Sequence, residues 1–224
     1  MCSFCAGRSA GVRPHSGRAS VRYTVDMSDN LTDADVLRIF ENSGALLTGH
    51  FVLTSGKHSD RYFEKFDVLN QPAHVETLCR ELAARLADTK PDVVLGPTTL
   101  GILLAFETAK HMGITAAYGE KGADGKRFLR RPGHIQPGQR VAVVDDVLTT
   151  GGSIRECIAL VEELGATLCG VGVLVDRSGG SVVFPAPLKS LLQMKVQAFE
   201  PNAVPEWLAA VPITRPGSTG KKGA

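Results

Sequence analysis

One stretch of the chain decides both its fold and its candidate site: Val141-Ala142-Val143-Val144-Asp145-Asp146-Val147-Leu148-Thr149-Thr150-Gly151-Gly152-Ser153. The four aliphatic residues 141–144 suit a strand that is buried on both faces of a parallel sheet. Two acids follow them, and a polar turn, 149–153, then leads into a helix-like pattern. Because open α/β folds bind ligands at the carboxyl ends of their strands, we expect the acids and the turn to lie in a binding site.

The polar turn has the composition of a phosphate-binding loop. Its backbone N–H groups and hydroxyls can surround a phosphate, and its two glycines allow close approach. Ser153 and Glu156 are predicted to form a capping box, so that the turn leads into the positive end of a helix. Asp145 and Asp146 repel phosphate, and their natural partners are hydroxyl donors or a divalent cation. A ligand with a phosphate and a ribose diol therefore satisfies the whole stretch, although an ordinary strand with an acidic turn after it is the plainer interpretation.

Composition limits the class of protein. The 224 residues suffice for one large domain, or for a domain with a small appendage. A net charge of +2 with 21% charged residues gives no electrostatic case for nucleic acid or an anionic membrane as partner. No stretch reaches 18 consecutive apolar residues, so no membrane span is predicted. Cys79 and Cys157 fall on apolar helix faces, which favours a reducing, cytoplasmic location. Cys2 and Cys5 lack a second pair at zinc-finger spacing and are taken as incidental.

The two ends of the chain differ from its middle. Residues 1–26 contain four arginines and one acid without a sustained apolar period, which predicts a disordered extension. A transit peptide and a translation start upstream of a functional Met27 are both open, and the second is favoured. Residues 217–224 are rich in Gly, Ser and Lys and are predicted to be a disordered tail. The predicted domain is therefore 27–216.

Between the tails, helix patterns alternate with strand patterns. Thr32 is predicted to cap a first helix, and a second helix has apolar residues at i, i+3, i+4 spacing: Val75, Leu78, Cys79, Leu82, Ala83 and Leu86. Further helices are predicted at 101–112 and 154–164, and strands at 92–96, 115–118, 141–144, 171–175 and 194–198. This alternation predicts an α/β fold of parallel βαβ units.

Three further segments fall where such a fold would place a site. The segment 96–101 joins a strand to a helix and can present N–H groups to a pyrophosphate, although an ordinary tight connection fits equally well. Arg177 follows a strand and suits bidentate capture of a carboxylate, or else a surface ion pair. The segment 53–63 ends in Tyr62 and Phe63, which can stack on a planar base or simply belong to the core.

Together these motifs resemble a known family. The segment 145–153 resembles the signature of the type I phosphoribosyltransferases, which bind phosphoribosyl diphosphate (PRPP). The chain from Leu31 to Pro216 resembles the orotate phosphoribosyltransferases, for which the segment 54–63 is characteristic, and among them a divergent subgroup found in Thermus and related bacteria. The resemblance implies a central, mostly parallel sheet flanked by helices as the core, about 71–200. It also implies a small hood subdomain, about 27–70 plus a C-terminal segment, and a flexible lid loop.

The resemblance also implies an activity. Members of this family transfer the phosphoribosyl group of PRPP to orotate, giving orotidine 5'-monophosphate and diphosphate in pyrimidine biosynthesis, with Mg²⁺ held mainly by the ligand near the acid pair. The implied orotate contacts are Thr149, Arg177, Tyr62 and Phe63. The implied PRPP contacts are Thr98, Thr99, Asp145, Asp146, Val147, Leu148, Thr149, Thr150, Gly151, Gly152 and Ser153. Two other functions stay open, namely transfer to a different base and non-catalytic PRPP sensing.

Some cationic positions of the family are changed. Thr54 and Leu100 stand where classical members carry lysines. The lid corresponds to residues 118–128, which contain few cations, and Lys121 and Lys126 are taken as its catalytic cations. Glycines at 119, 122 and 125 suit a moving lid or an ordinary hairpin turn. In the family the lid lysine acts across a dimer interface, so the resemblance implies a homodimer with shared active sites.

Overall fold

The computed structural model describes residues 30–53, 55–131, 133–195 and 197–214. The predicted extension 1–26, the tail 217–224 and Thr54 lie outside this part of the chain. The first elements are α1 Asp33–Asn42, β1 Leu46–Val52, β2 His58–Phe63 and α2 Lys65–Leu69. Thr32 caps α1 as predicted, because its hydroxyl accepts from the Asp35 backbone N–H and the Asp35 carboxylate accepts from the Thr32 backbone N–H.

The remaining elements alternate helix and strand. In chain order they are α3 Pro72–Leu86, a 3₁₀ turn Ala87–Thr89, β3 Val93–Pro97, α4 Leu100–Met112, β4 Thr115–Lys121, β5 Arg127–Phe128, β6 Arg140–Leu148, α5 Gly152–Glu163, β7 Thr167–Asp176, β8 Leu188–Gln193, α6 Glu206–Ala209 and β9 Ile213–Thr214. The central sheet has the order β5-β4-β3-β6-β7-β8, and all neighbours are parallel except β4 and β5. The predicted α/β fold with a mostly parallel sheet is confirmed.

A second, smaller sheet joins the two ends of the described chain. Its order is β2-β1-β9, with β1 antiparallel to β2 and parallel to β9. It thus combines the region assigned to the hood with a C-terminal segment.

Both faces of the central sheet are buried around β3, β6 and β7. Val94, Ala142 and Val144 pack against α1, α3 and α4 in one core cluster. Val141 and Val143 belong to a second cluster on the other face, which includes the apolar side of α5. Because successive strand residues point to opposite faces, the continuous aliphatic run of β6 serves both clusters at once.

Three local predictions were wrong. The β6 strand continues through Asp145 and Asp146 to Leu148, because its pairing with β7 runs as far as Leu148 opposite Asp176. The last central strand is β8, not 194–198, because its pairing with β7 is complete at Gln193. The described residues of 194–198 are in no strand. Ser153 and Glu156 form no capping box; Gly151 is the N-cap of α5, and both side chains have partners elsewhere.

Gly96 and Gly101 allow the end of β3 and the start of α4 to approach each other closely. A Cβ on Gly96 would lie 2.0 Å from the Gly101 carbonyl oxygen, and a Cβ on Gly101 would lie 2.6 Å from Cδ of Pro97. The backbone segments on either side of the loop 98–100 therefore touch directly. The loop is presented at the carboxyl end of β3, where the α/β architecture places ligands.

None of the helices in the described part of the chain combines the length and the apolar composition that a membrane span requires.

We expect Gly96→Ala to destabilise the protein by about 3 kcal/mol or more, because the added methyl group meets backbone that cannot move aside cheaply. Gly152→Ala is the matched control, since a Cβ there meets nothing closer than 3.8 Å. Chemical denaturation measures both effects. Equal free energies of unfolding for Gly96→Ala and the wild type would contradict the importance of this close approach.

Candidate active site

The acid pair lies at the carboxyl end of β6 and is almost completely buried, with Asp145 7% and Asp146 5% exposed. One Asp145 oxygen accepts the Ser153 hydroxyl at 2.6 Å, and the other accepts the Asp146 backbone N–H at 2.9 Å. Asp146 accepts the Val147 backbone N–H at 2.6 Å. Its other oxygen forms a 2.9 Å ion pair with Lys65. Every carboxylate oxygen of the pair therefore has a donor or a cation beside it.

Electrostatics at the pair are unfavourable despite these contacts. Burial raises the pKa of Asp145, and the neighbouring Asp146 charge raises it further, while the Ser153 hydrogen bond and Lys65 act in the opposite direction. Perturbed carboxyl groups of this kind concentrate at functional sites. The pair is therefore arranged to meet a further donor or cation.

The polar turn 149–153, which is predicted to bind phosphate and is called the phosphate turn below, directly follows β6. Thr149, Thr150 and Gly152 are exposed, whereas Gly151 is buried. Gly151 has a φ of 78°, and a Cβ there would lie 3.0 Å from Val182. The turn then enters α5, whose first backbone N–H groups point toward it, as at other anion-binding helix N-termini.

The loop after β3 and the acid pair line a common cleft of about 420 Å³. Its lining residues are Lys65, Phe66, Pro97, Thr98, Thr99, Leu100, Gly101, Asp145, Asp146, Val147, Thr149 and Ser153. Seven predicted PRPP contacts are thus brought together here, namely Thr98, Thr99, Asp145, Asp146, Val147, Thr149 and Ser153. The other four, Leu148, Thr150, Gly151 and Gly152, belong to the same strand end and turn.

Two cleft residues were missed by sequence reasoning. Lys65 and Phe66 begin the short helix α2, which directly follows β2. Phe66 is 48% exposed. The signal was their position just after the characteristic segment 54–63, but nothing local shows that α2 faces the carboxyl end of β6.

Arg177 lies beside the phosphate turn, although it is not among the residues that line the cleft. Its backbone N–H donates to the Leu148 carbonyl at 2.8 Å, so it stands next to Thr149 on the adjacent strand end. The side chain is half-buried, and burial lowers its pKa. Within the described part of the chain, its Nε is buried without a hydrogen-bond partner. A guanidinium with a buried donor that has no partner is suited to bind an anionic ligand group.

Tyr62 and Phe63 have different surroundings. Phe63 packs edge-to-face on Phe40, with ring centroids 5.0 Å apart, against the core cluster of α1. Tyr62 lies 5.7 Å from the Phe51 ring, and partial burial raises its pKa. Because neighbouring strand residues face opposite ways, the two rings do not share one side of β2. Their contact with a base stays a prediction.

The segment predicted as the lid is a hairpin between β4 and β5. The Gly122 N–H donates to the Lys126 carbonyl at 2.8 Å, which closes the turn. Lys121 forms a 2.8 Å ion pair with Glu156 of α5, and Lys126 lines a separate groove along α5. Neither lysine lines the cleft of its own chain, and their catalytic role stays a prediction.

A buried arginine of this hairpin was also missed. Arg127, with 5% of its side chain exposed, ion-pairs with Glu156 at 3.0 Å. Its guanidinium also donates to the Gly119 carbonyl at 2.8 Å. The hairpin is thereby attached to the start of α5.

The chain was compared with known proteins. Residues 67–203 match the phosphoribosyl transferase domain family. Orotate phosphoribosyltransferase of Pelotomaculum thermopropionicum is 44% identical over 188 residues, which cover 84% of this chain and 98% of the relative. The chain belongs to the orotate phosphoribosyltransferase family. The orotate phosphoribosyltransferase of Caulobacter vibrioides is 41% identical over 195 residues, covering 86% of this chain and all of the relative.

Solved structures of the family support the fold. The crystal structure of orotate phosphoribosyltransferase from Aeropyrum pernix has a TM-score of 0.61 and 27% identity, covering 71% of this chain and 93% of that one. The predicted type I phosphoribosyltransferase fold and the resemblance to the orotate phosphoribosyltransferase family are both confirmed.

We expect Asp145→Asn to increase the free energy of unfolding at pH 7 by about 1 kcal/mol, as relief of a strained functional site commonly does. The folded-state pKa of Asp145 is raised, so its ionisation disfavours the folded state and stability falls as pH rises through that pKa. The amide can keep both contacts, because the Ser153 hydroxyl accepts as well as donates. Below about pH 4, where the carboxyl is protonated in both states, the gain should disappear.

The matched control is Asp88→Asn. Asp88 is a surface acid whose pKa is lowered by its contact with Lys189, so this variant should show no gain at pH 7. Denaturant titrations of the three proteins at pH 7 and at pH 3.5 measure the effect. A wild type more stable at pH 7 than Asp145→Asn would show that the ionised pair is not under strain.

Proposed function

We propose that this protein transfers the phosphoribosyl group of PRPP to orotate, forming orotidine 5'-monophosphate and diphosphate in pyrimidine biosynthesis. The observation that carries the proposal is the alignment of β6 with β7. In this alignment the buried acid pair, the turn 149–153 and Arg177 lie side by side, and the Arg177 Nε has no hydrogen-bond partner within the described part of the chain. The names of the relatives support the same activity.

In the proposed mechanism each group recognises one part of the substrates. The turn 149–153 binds the 5'-phosphate through backbone N–H groups at the start of α5. Asp145 and Asp146 accept hydrogen bonds from the ribose hydroxyls. Arg177 binds the orotate carboxylate, and Thr149 donates to the ring. A purine has no carboxylate for Arg177, which favours orotate over a purine acceptor.

Mg²⁺ is the proposed cofactor. Two buried carboxylates at the edge of an open cleft offer oxygen ligands, and Mg²⁺ commonly binds one or two carboxylates together with substrate phosphates. Asp145 and Asp146 would lie beside the ion, which would be held mainly by PRPP. When bound, Mg²⁺ supplies positive charge to the diphosphate as it departs.

A homodimer with shared active sites is proposed from the exposed apolar surface. Leu103 and Phe106 of α4 are 47% and 64% exposed, and Tyr118 and Phe128 of the hairpin are 45% and 40% exposed. Side chains alternate along β4, so Tyr118 lies on the same face of the sheet as Ala116, which packs against the core cluster that includes α4. Phe128 of β5 pairs with Glu120, so its side chain lies on this face as well. Large exposed apolar side chains of α4 and of the same side of the hairpin are typical of an interface. It adjoins the hairpin of Lys121 and Lys126, which would then serve the partner's cleft.

The proposed location is cytoplasmic. Cys79, Cys157 and Cys169 are buried free thiols, and burial raises the pKa of the first two to about 12. Such cysteines act as small apolar core residues and suit a reducing compartment.

The activity is tested by mixing the protein with orotate, PRPP and Mg²⁺ and following the loss of orotate absorbance. We expect turnover by the wild type. Arg177→Ala should raise the KM for orotate about 10- to 100-fold, as the loss of a charged hydrogen bond does, with little change in the KM for PRPP. Arg38→Ala is the control, because Arg38 is a surface residue that pairs with Asp35 of the same helix. An unchanged orotate KM in Arg177→Ala would contradict the assignment, and no turnover by the wild type would contradict the function.

The dimer is tested by Phe106→Glu, which puts a charge at the most exposed of the four apolar residues proposed for the interface. Light scattering should show a dimer for the wild type and a shift to monomer for the variant. Val183→Glu is the control, since Val183 is 76% exposed but lies on the segment between β7 and β8. A monomeric wild type would contradict the homodimer. A dimeric Phe106→Glu would show that the interface lies elsewhere.

A further inference from the structure

We propose that Lys65 is a substrate-binding residue that contacts the diphosphate group of PRPP and stabilises its negative charge as it leaves. The inference rests on the proposed use of PRPP by the cleft. It concerns a residue of α2, outside both the phosphate turn and the loop after β3.

The first argument is the charge balance of the cleft. PRPP brings a monophosphate and a diphosphate, yet the cleft already contains two buried carboxylates. Among the described residues that line it, Lys65 is the only one with a cationic side chain. The loop 98–100 contributes two threonines and a leucine, so it offers hydroxyls and N–H groups but no positive charge. A side-chain cation for the diphosphate, in addition to the proposed Mg²⁺, must therefore come from another element.

The second argument is how Lys65 is held. Val68 and Leu69 are buried and belong to the core cluster, which fixes α2 beside α3. The Lys65 side chain, by contrast, is 42% exposed and reaches across to Asp146 at 2.9 Å. The backbone of α2 is anchored while the ammonium group is at the edge of the open cleft. Such a side chain can change partner without any change in the fold.

The third argument is an exchange of partners. In the absence of substrate, Lys65 offsets one charge of the acid pair. When PRPP and Mg²⁺ bind, Asp146 gains ribose hydroxyls or the cation as partners, and the ammonium group is released to the diphosphate oxygens. Removing Lys65 from the buried Asp146 without a replacement would be costly. The exchange avoids that cost because the ribose hydroxyls or the cation become partners of Asp146 as Lys65 leaves.

The contact would strengthen during the reaction. The bond from ribose C1 to the diphosphate oxygen breaks, and its electron pair goes to the diphosphate. The orotate ring nitrogen forms the new bond to C1, and the proton of that nitrogen passes to water. Lys65 transfers no proton; its charge meets an oxygen that becomes more negative as the bond breaks. An interaction stronger in the transition state than in the ground state raises kcat.

The test compares Lys65→Met with Lys65→Arg and with the control Lys57→Met. Lys57 is also a lysine of the N-terminal region, 44% exposed, and pairs with Glu200 away from the cleft. For each protein, calorimetry gives the Kd of magnesium diphosphate and of orotidine 5'-monophosphate, and steady-state assays give kcat and the KM for PRPP. The nucleotide carries the ribose and the 5'-phosphate but no diphosphate, so it separates the possible roles.

We expect Lys65→Met to weaken diphosphate binding about tenfold or more and to lower kcat about 100-fold, by analogy with a lost oxyanion donor. Nucleotide binding should stay within about twofold, and Lys65→Arg should recover most of the loss. An equal loss of nucleotide binding would overturn the inference, because Lys65 would then only maintain the cleft or bind the 5'-phosphate. Unchanged diphosphate binding would also overturn it. An inactive wild type would instead contradict the proposed function.

A double variant separates a direct contact from an effect through Asp146. If Lys65 acts only by pairing with Asp146, then Lys65→Met should have no effect on diphosphate binding in an Asp146→Asn background. If Lys65 binds the diphosphate itself, the loss should persist in that background. Double-mutant cycles of this form isolate the coupling of two neighbouring residues.

Discussion

Two adjacent carboxylates at the end of a buried strand are the constraint on which the site depends. Asp145 and Asp146 are taken out of water by the same pairing that makes β6 a central strand. Burying charge is costly unless each oxygen finds a donor or a cation. The Ser153 hydroxyl, two backbone N–H groups and Lys65 meet that requirement from three different elements. The raised pKa of Asp145 shows that the compensation is incomplete.

The order of the strands then sets the order of the chemical groups. In the central sheet β3, β6 and β7 are neighbours, so their carboxyl ends deliver three segments side by side. The loop 98–100 follows β3, the acid pair and phosphate turn belong to β6, and Arg177 follows β7. In the proposed complex these segments meet the diphosphate, the ribose phosphate and the base in turn. A substrate that extends across three strand ends needs this adjacency, and the direct contact of Gly96 with Gly101 keeps the first of them close to the sheet.

Local signals in the sequence were sufficient for local structure. The Thr32 cap and the aliphatic run of β6 were predicted because each depends on residues within a few positions. The Ser153 and Glu156 box failed because both side chains have tertiary partners, Asp145 for one and the hairpin cations for the other. The alternating pattern 194–198 predicted a strand, whereas β8 has its buried leucines adjacent rather than alternating. Lys65 was missed because its contact joins two elements that are distant in the sequence and near only in the fold.

Lys65, the cation that compensates Asp146, couples the N-terminal region of the molecule to the central sheet. Lys65 begins α2, which follows the small sheet, whereas Asp146 belongs to the central sheet. Their ion pair is therefore a partly solvated contact between the start of α2 and the central sheet, beside the apolar packing of α2 on the core. A substrate that takes over the partners of both residues replaces this direct link with a link through itself. Because Val68 and Leu69 keep the backbone of α2 anchored, the part that responds to the contents of the cleft is the Lys65 side chain, and binding energy at the acid pair is spent on orienting its ammonium group.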